Sequence, residues 1–242
     1  MERLKRLKLK QSRVGYRMAT HLLRRQMQDK LNPKRVYRLW KREGLAVKRR
    51  VKKKRLLGPK QERPETATHS NHVWTVDFIE DQTITGRTLR ILTVTDEFTR
   101  ESLDIEVGLS LPAETVKAVL GRVMDDRGAP QCLRCDNGPE FIALVLRGFL
   151  QRSGVKTMYI DPGSPWQNGF AESFHSRFRD EFLSQEVFLS VADARVRVMI
   201  WRTWYNEERP HSSLGYKTPR EFADYHKVSS LKLAETNSPN GT

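Results

Sequence analysis

Residues 73–107 read VWTVDFIEDQTITGRTLRILTVTDEFTRESLDIEV and hold three strand-like runs. Residues 73–79 are apolar and rich in β-branched and aromatic side chains, residues 90–95 form a second strand-like run, and residues 102–107 alternate apolar with polar. Thr85-Gly86 supplies a turn between the first two. One residue is out of place in this stretch. Asp77 lies inside the apolar run Trp74-Thr75-Val76-Asp77-Phe78, where an ionised carboxylate is costly unless it pairs or binds a cation. Beyond residue 107 strand and helix alternate. Residues 112–124 predict a helix with Val116, Val119, Leu120 and Val123 on one face, followed by a strand at 131–135, a helix at 141–151 and a strand at 155–160. Helices at 169–183 and 191–205 complete the pattern. Three strands joined by short turns, then alternating strand and helix, predict an α/β fold: a mixed sheet flanked by helices.

The chain has 242 residues and a net charge of +15, with 38% hydrophobic and 30% charged residues. That composition is polar but globular, and the length suits one large domain or an ordinary domain plus a small one. Two cysteines exclude a disulfide scaffold and a four-cysteine zinc module. No apolar run approaches the roughly 20 residues of a membrane span, and no apolar segment of the signal-peptide type follows the basic start. A cytoplasmic protein with no membrane partner is expected. The charge is unevenly placed. Residues 1–60 hold 23 Lys and Arg against 3 Asp and Glu, whereas residues 61–242 hold 21 against 26. A basic block of this density favours nucleic acid or an anionic surface.

Within that block, Tyr16, Met18, Leu22 and Leu23 fall at roughly helical spacing over residues 14–28. A second helix is punctuated by Asn32 as N-cap, Pro33 at the first position and Gly44 just past the end. Val36, Leu39 and Trp40 form its apolar stripe, and Lys34, Arg35, Arg38, Lys41 and Arg42 take its other faces. Two short helices, the second basic outside, match what a helix-turn-helix unit needs. A plain helical hairpin with solvated lysines fits the same pattern, but the run from Lys48 to Arg55 extends the positive surface and favours DNA contact. The domains expected are a basic helix-turn-helix-like unit at 1–58, a linker at 59–70, a catalytic core with C-terminal helices at 71–226, and a disordered tail at 227–242.

Three carboxylates stand out. Asp77 lies in a strand. Asp136 follows the 131–135 strand and precedes Asn137-Gly138-Pro139, where it either caps the next helix or stands at a strand end of the kind that presents ligands. Glu172 follows the loop 161–168 in the first turn of a helix, where a lone glutamate simply complements the helix dipole. As a set they have the donor chemistry of a hard divalent cation such as Mg²⁺, which takes few protein oxygens and keeps places for water and phosphate. Two such ions ~3.5–4 Å apart can activate a nucleophile and stabilise a leaving oxygen at one phosphorus. Other residues fit less well. His69-x-x-His72 and Cys132-x-x-Cys135 have zinc-ligand types, but 59 residues separate the pairs, and the cysteines read as small core residues. Asp96 reads as structural at a strand end, and Glu140, four residues after Asp136, as a helix cap.

Several ordered segments carry a resemblance. They are Trp74-Thr75-Val76-Asp77, Val94-Thr95-Asp96-Glu97-Phe98-Thr99-Arg100, Asp136-Asn137-Gly138-Pro139-Glu140-Phe141, and Ser164 through Phe174, followed by Tyr205-Asn206, Arg209-Pro210-His211 and Leu214-Gly215-Tyr216. Together they resemble the second-reading-frame transposase of the insertion-sequence family called IS-three, whose core is of the retroviral-integrase type. The family's last two catalytic acids have 35 residues between them, as Asp136 and Glu172 do, and it carries a basic residue seven positions later, here Arg179. The resemblance implies an RNase-H-like core behind a small all-helical DNA-binding domain. It also implies a DDE transposase that cleaves and transfers DNA strands at element ends without a covalent protein–DNA intermediate. Asp77, Asp136 and Glu172 would be the catalytic residues holding two Mg²⁺ (or Mn²⁺) ions. Lys34, Arg35, Arg38, Lys41, Arg42, Gln167, Asn168 and Arg179 would meet DNA, although Gln167 and Asn168 could equally shape the turn. Expected partners are DNA, further copies of the chain on that DNA, and a helix-turn-helix and zipper protein from an upstream frame.

Overall fold

The computed structural model describes residues 1–11, 13–27, 30–46, 65–161 and 164–236. Helices α1 (Glu2–Lys10), α2 (Tyr16–Met27) and α3 (Pro33–Arg42) come first. Residues 2–10 read from sequence only as a basic start. They form α1 because Leu4 and Leu7 share a face and bury beside Leu22, Leu23, Val36 and Trp40. Asn32 caps α3 as expected: its side chain accepts from the Lys34 amide at 2.9 Å. At the other end Gly44 adopts φ 64°. The Gly44 and Leu45 amides donate to the carbonyls of Lys41 and Trp40, which closes the helix in a Schellman motif. Residues 47–58, with the run from Lys48 to Arg55, and linker residues 59–64 lie outside the described residues. Residues 65–68 have no regular structure.

The sheet has the expected mixed character. Strands β1 (Val73–Gln82), β2 (Thr88–Asp96) and β3 (Ser102–Gly108) are followed by helix α4 (Ala113–Arg127) and strand β4 (Cys132–Cys135). Helices α5 (Pro139–Ile142) and α6 (Leu144–Arg152) lead to β5 (Lys156–Tyr159), and α7 (Gly169–Glu181), α8 (Val191–Glu207) and α9 (Pro219–Thr236) complete the chain. The strand order is β3-β2-β1-β4-β5. The first three strands are antiparallel, and β4 runs parallel to both β1 and β5.

Strand periodicity decides which residues face which helices. Trp74, Val76, Leu92 and Val94 bury against α4 and α6 residues such as Val116, Leu120, Leu146 and Leu150. Ile79, Leu89 and Ile91, on the opposite face, pack with Phe174 and Phe178 of α7 and Val198, Trp201 and Tyr205 of α8. Each such side chain contributes roughly 1.5–3 kcal/mol when fully buried. Asp77 has the parity of Ile79, so it lies on the face that α7 covers.

Two expectations need correction. The helix expected at 141–151 breaks at Ala143, whose φ −58° and ψ 137° are extended. The break keeps Phe141 in the core while Ile142 and Leu144 turn to solvent, and the Ala143 carbonyl starts α6. The C-terminal end, expected to be disordered from 227, instead continues α9 to Thr236. A capping box starts that helix. The Glu221 amide donates to Thr218 Oγ1 at 3.2 Å, and the Thr218 amide donates to Glu221 Oε2 at 2.9 Å. Residues 237–242 lie outside the described residues.

Candidate active site

The parallel pairing of β1 with β4 sets Thr75 beside Arg134. Two residues further along each chain come Asp77 and Asp136, so the register brings these acids side by side. Glu172 arrives from α7, which lies over the same face, with its side chain exposed in the first turn.

Asp77 is the fixed member. Its side chain is 17% exposed. Oδ1 accepts from the Phe78 amide at 2.7 Å and Oδ2 from Asn168 Nδ2 at 2.8 Å. Burial pushes its carboxyl up to about 6, the charges of Asp136 and Glu172 push the same way, and the two hydrogen bonds oppose. Asp136 is exposed, and its Oδ1 accepts from the Gly138 amide at 2.9 Å. That bond is the turn-capping role open to a lone Asp-Asn-Gly, and it leaves Oδ2 free. A Cβ at position 138 would sit 3.0 Å from Asp136 Oδ1, so any side chain there would displace that carboxylate.

His175, one turn beyond Glu172, went unnoticed in the sequence. Its Nε2 lies 2.8 Å from Thr93 Oγ1, and its Nδ1 3.9 Å from Asp77 Oδ2. The Thr93 hydroxyl donates its one proton to the Asp77 carbonyl at 3.1 Å, so His175 Nε2–H is the donor to Thr93. Burial, then Arg179, lowers the imidazole to about 4, which keeps it neutral near pH 7. Thr93 is the register partner of Asp77 across β2. This chain of contacts therefore locks α7 to the strand that carries the first acid.

The loop before α7 is tied down from below. Gln167 Oε1 accepts from the Asp161 amide, and its Nε2 donates to Asp161 Oδ2, both at 2.9 Å. Arg134 reaches the Gln167 carbonyl at 3.2 Å and pairs with buried Glu97 at 2.8 Å. Both Gln167 and Asn168 make hydrogen bonds within the protein. Gln167 closes its own loop, and Asn168 orients Asp77. Arg179 is exposed two turns beyond Glu172, 3.5 Å from the Glu80 carbonyl of β1. Lys34, Arg35, Arg38, Lys41 and Arg42 are all exposed on α3, and among the described residues only Arg42 has a carboxylate partner, Glu43 at 3.2 Å.

The remaining sequence candidates fall outside the site. Asp96 is structural, accepting from the amides of Asn71, Phe98 and Thr99. Glu140 pairs with Arg90 at 2.5 Å. Cys132 and Cys135 are buried, and burial pushes the Cys135 thiol up to about 12.

The donor set suits a hard cation. Asp77 has used two of its roughly four lone-pair sites, and Asp136 Oδ2 and the exposed Glu172 carboxylate remain available. Asn168 Oδ1 is buried without a hydrogen-bond partner, so water on a hydrated ion would supply the donor it lacks. Among the described residues no group of three His, Cys, Asp or Glu side chains converges on one point. The exposed Asp136 and Glu172 side chains would have to rotate inward to share an ion with Asp77.

Comparison with known proteins identifies the family. Two integrase core domain models match, over residues 67–165 and 153–219. An uncharacterized protein of insertion element IS407 from Burkholderia multivorans is 40% identical over 228 residues, covering 93% of this chain and 81% of that protein. A further relative, transposase InsD for insertion element IS2 of Escherichia coli, is 30% identical over 86% of this chain and 72% of its own length. The chain belongs to the insertion-element transposases with an integrase core. Among solved structures, the simian T-cell lymphotropic virus intasome matches with TM-score 0.58 and 15% identity, over 69% of this chain and 60% of that one. The magnesium-bound HTLV-2 integrase catalytic core matches with TM-score 0.50 and 16% identity, over 64% of this chain and 97% of that one. At those identities the likeness establishes the RNase-H-like fold of this transposase-family core. Among the described residues no helix is long and apolar enough to cross a membrane.

Proposed function

We propose that this chain cleaves and joins DNA strands at the ends of an insertion element, as a transposase that works without a covalent protein–DNA intermediate. Asp77, Asp136 and Glu172 are the catalytic acids and would hold two Mg²⁺ ions, with Mn²⁺ as a substitute. When bound, such ions activate a water or a DNA 3′-hydroxyl for in-line attack on a phosphodiester and stabilise the leaving oxygen. The protein's own groups prepare that step. Asn168 and the Phe78 amide hold Asp77 in one orientation. Neutral His175 fixes α7, and with it Glu172, to β2. Arg179, two turns from Glu172 on the same face, meets the DNA backbone. The exposed cations of α3 supply salt-dependent affinity for duplex DNA. Residues 1–58 would be the DNA-binding domain and 71–226 the catalytic core. Several copies would act together on DNA in the bacterial cytoplasm.

The observation that carries this reading is the β1–β4 register, which sets Asp77 and Asp136 side by side beneath the helix bearing Glu172. The test is Asp136→Asn. The site is exposed, and asparagine Oδ1 still accepts from the Gly138 amide, so folding and DNA binding should match wild type. Mg²⁺-dependent nicking and joining of DNA carrying the element's ends should be lost. A variant that still joins strands refutes the role of Asp136.

A further inference from the structure

A second site lies on the far side of α7. A cavity of about 380 Å³ opens between the β2–β3 turn, α7 and the segment after α8, with Met18 of α2 on its wall. That volume falls within the roughly 300–1,000 Å³ of small-ligand sites. Three of its lining residues each hold one buried polar atom without a partner. Glu97 is 2% exposed and His211 6% exposed, yet Glu97 Oε2 and His211 Nε2 lack hydrogen-bond partners, as does Arg100 Nε. Buried polar atoms in this state are uncommon and call for an explanation. The Arg100 guanidinium lies 4.1 Å over the Phe170 ring, so the wall also carries a planar cation stacked on an aromatic. Arg177, exposed, stands at the edge.

We propose that this cavity receives one unstacked nucleotide of a DNA strand. The wall offers an acceptor at Glu97 and a donor at Arg100 Nε. Every natural base presents a donor beside an acceptor on its pairing edge, so the match tolerates any base. The stacked Arg100–Phe170 pair suits a flat ring, because bases freed from the helix stack on guanidinium and aromatic planes. Arg177 at the edge suits the phosphate. A free anion is the weaker occupant, because the Asp96 and Glu97 carboxylates of the lining repel it.

The position fits as well. Phe170, Ser173 and Arg177 form one stripe of α7, and Glu172, His175 and Arg179 form a stripe on the opposite flank, toward the acids. A helix is about 10–12 Å across. At about 3.4 Å per nucleotide along a strand, a base in the cavity would lie about three nucleotides from the bond at the acids. The inference rests on the reading of DNA as substrate.

Saturation-transfer NMR on the full chain in EDTA, with dCMP, dAMP and deoxyribose 5-phosphate as probes, tests it. Transfer should appear at the base protons of both mononucleotides and be at least fivefold weaker for the sugar phosphate. Ser173→Trp fills the cavity from an exposed helix position and should abolish the base signals, with an unchanged thermal unfolding midpoint as the check that the fold is intact. Arg177→Ala should weaken dCMP but not deoxycytidine. Equal transfer from the sugar phosphate, or base signals that survive Ser173→Trp, overturns the proposal. Mg²⁺-dependent strand cleavage measured alongside separates the two readings. Cleavage without nucleotide transfer removes the cavity alone. Transfer without cleavage removes the catalytic reading and leaves the nucleotide site standing.

Discussion

Replacing Asp77 with asparagine should make the protein more stable while abolishing catalysis. The carboxyl sits at about 6 in the fold against an ordinary 3.8. At roughly 1.4 kcal/mol per pH unit, that gap makes the ionised group about 3 kcal/mol less favourable in the folded than in the unfolded chain. The raised value fixes the sign. Below pH 3.8 both states are protonated and there is no cost. Between 3.8 and about 6 the folded state holds more protons, so stability falls as pH rises, and above 6 the full cost is present. Asparagine removes it. Its Oδ1 keeps the Phe78 amide, and a flip of the Asn168 amide lets the partnerless Asn168 Oδ1 accept from the new side-chain NH₂. Urea unfolding of the full chain in EDTA should show a gain of about 3 kcal/mol at pH 8 and under ~1 kcal/mol at pH 4. At roughly 2–4 °C per kcal/mol for a chain of this size, Tm at pH 8 should rise by about 6–12 °C. A variant no more stable than wild type at pH 8, or equally stabilised at both pH values, would refute the account of Asp77 as a carboxylate raised by burial.

Two further outcomes follow from the geometry. Arg38→Ala on α3 should weaken duplex binding and lower the slope of log K against log salt by about one, as the loss of a single phosphate contact does; an unchanged slope removes Arg38 from the interface. Gly138→Ala introduces a Cβ 3.0 Å from Asp136 Oδ1, so the exposed carboxylate must shift. Cleavage rates should drop about tenfold or more, given that ~1 Å of misplacement can cost 100-fold, with thermal stability little changed.

How much of this was legible in the sequence depended on whether the signal was local. The β1 and β2 strands, the Asn32 cap and the Gly44 stop are written in neighbouring residues, and the structure matches them. Of the three proposed acids only Asp77 breaks a local rule, by its apolar neighbours; Asp136 and Glu172 each fit an ordinary capping or helix-start role and stand out only through the spacing that the family resemblance supplies. His175 and the Asn168–Asp77 bond were not legible, since Asn168 lies 91 residues from its partner and only the register of β1 under α7 joins them. Gln167 read as a DNA contact or a turn residue because a polar side chain after Trp166 fits both. Its partner within the loop, Asp161, is local, but the loop geometry that joins them is not. The break at Ala143 carries no glycine or proline of its own; burial of Phe141 against the sheet overrides a helical pattern that runs straight through it. The α9 capping box was the avoidable miss, because Thr218-Pro219-Arg220-Glu221 shows both the cap and the first-turn proline.

The same electrostatics sets the response to magnesium. Asp77 is destabilised partly because Asp136 and Glu172 are charged beside it, and like charges held together favour whatever cation reduces their repulsion. Cation binding to the folded chain alone stabilises it by RT ln(1 + [L]/Kd), about 2.7 kcal/mol at one hundred times Kd. Wild-type protein should therefore gain stability on adding Mg²⁺ at pH 8. It should gain less at pH 5, where protonated Asp77 is a poorer ligand. Asp77→Asn already lacks the repulsion and one ionised ligand, so it should gain little at either pH. The two effects oppose each other in sign: without metal the variant is the more stable protein, and saturating Mg²⁺ should narrow or reverse that order. A magnesium response of equal size in both proteins would mean that the ion binds away from Asp77, and the three-acid site would fail with it.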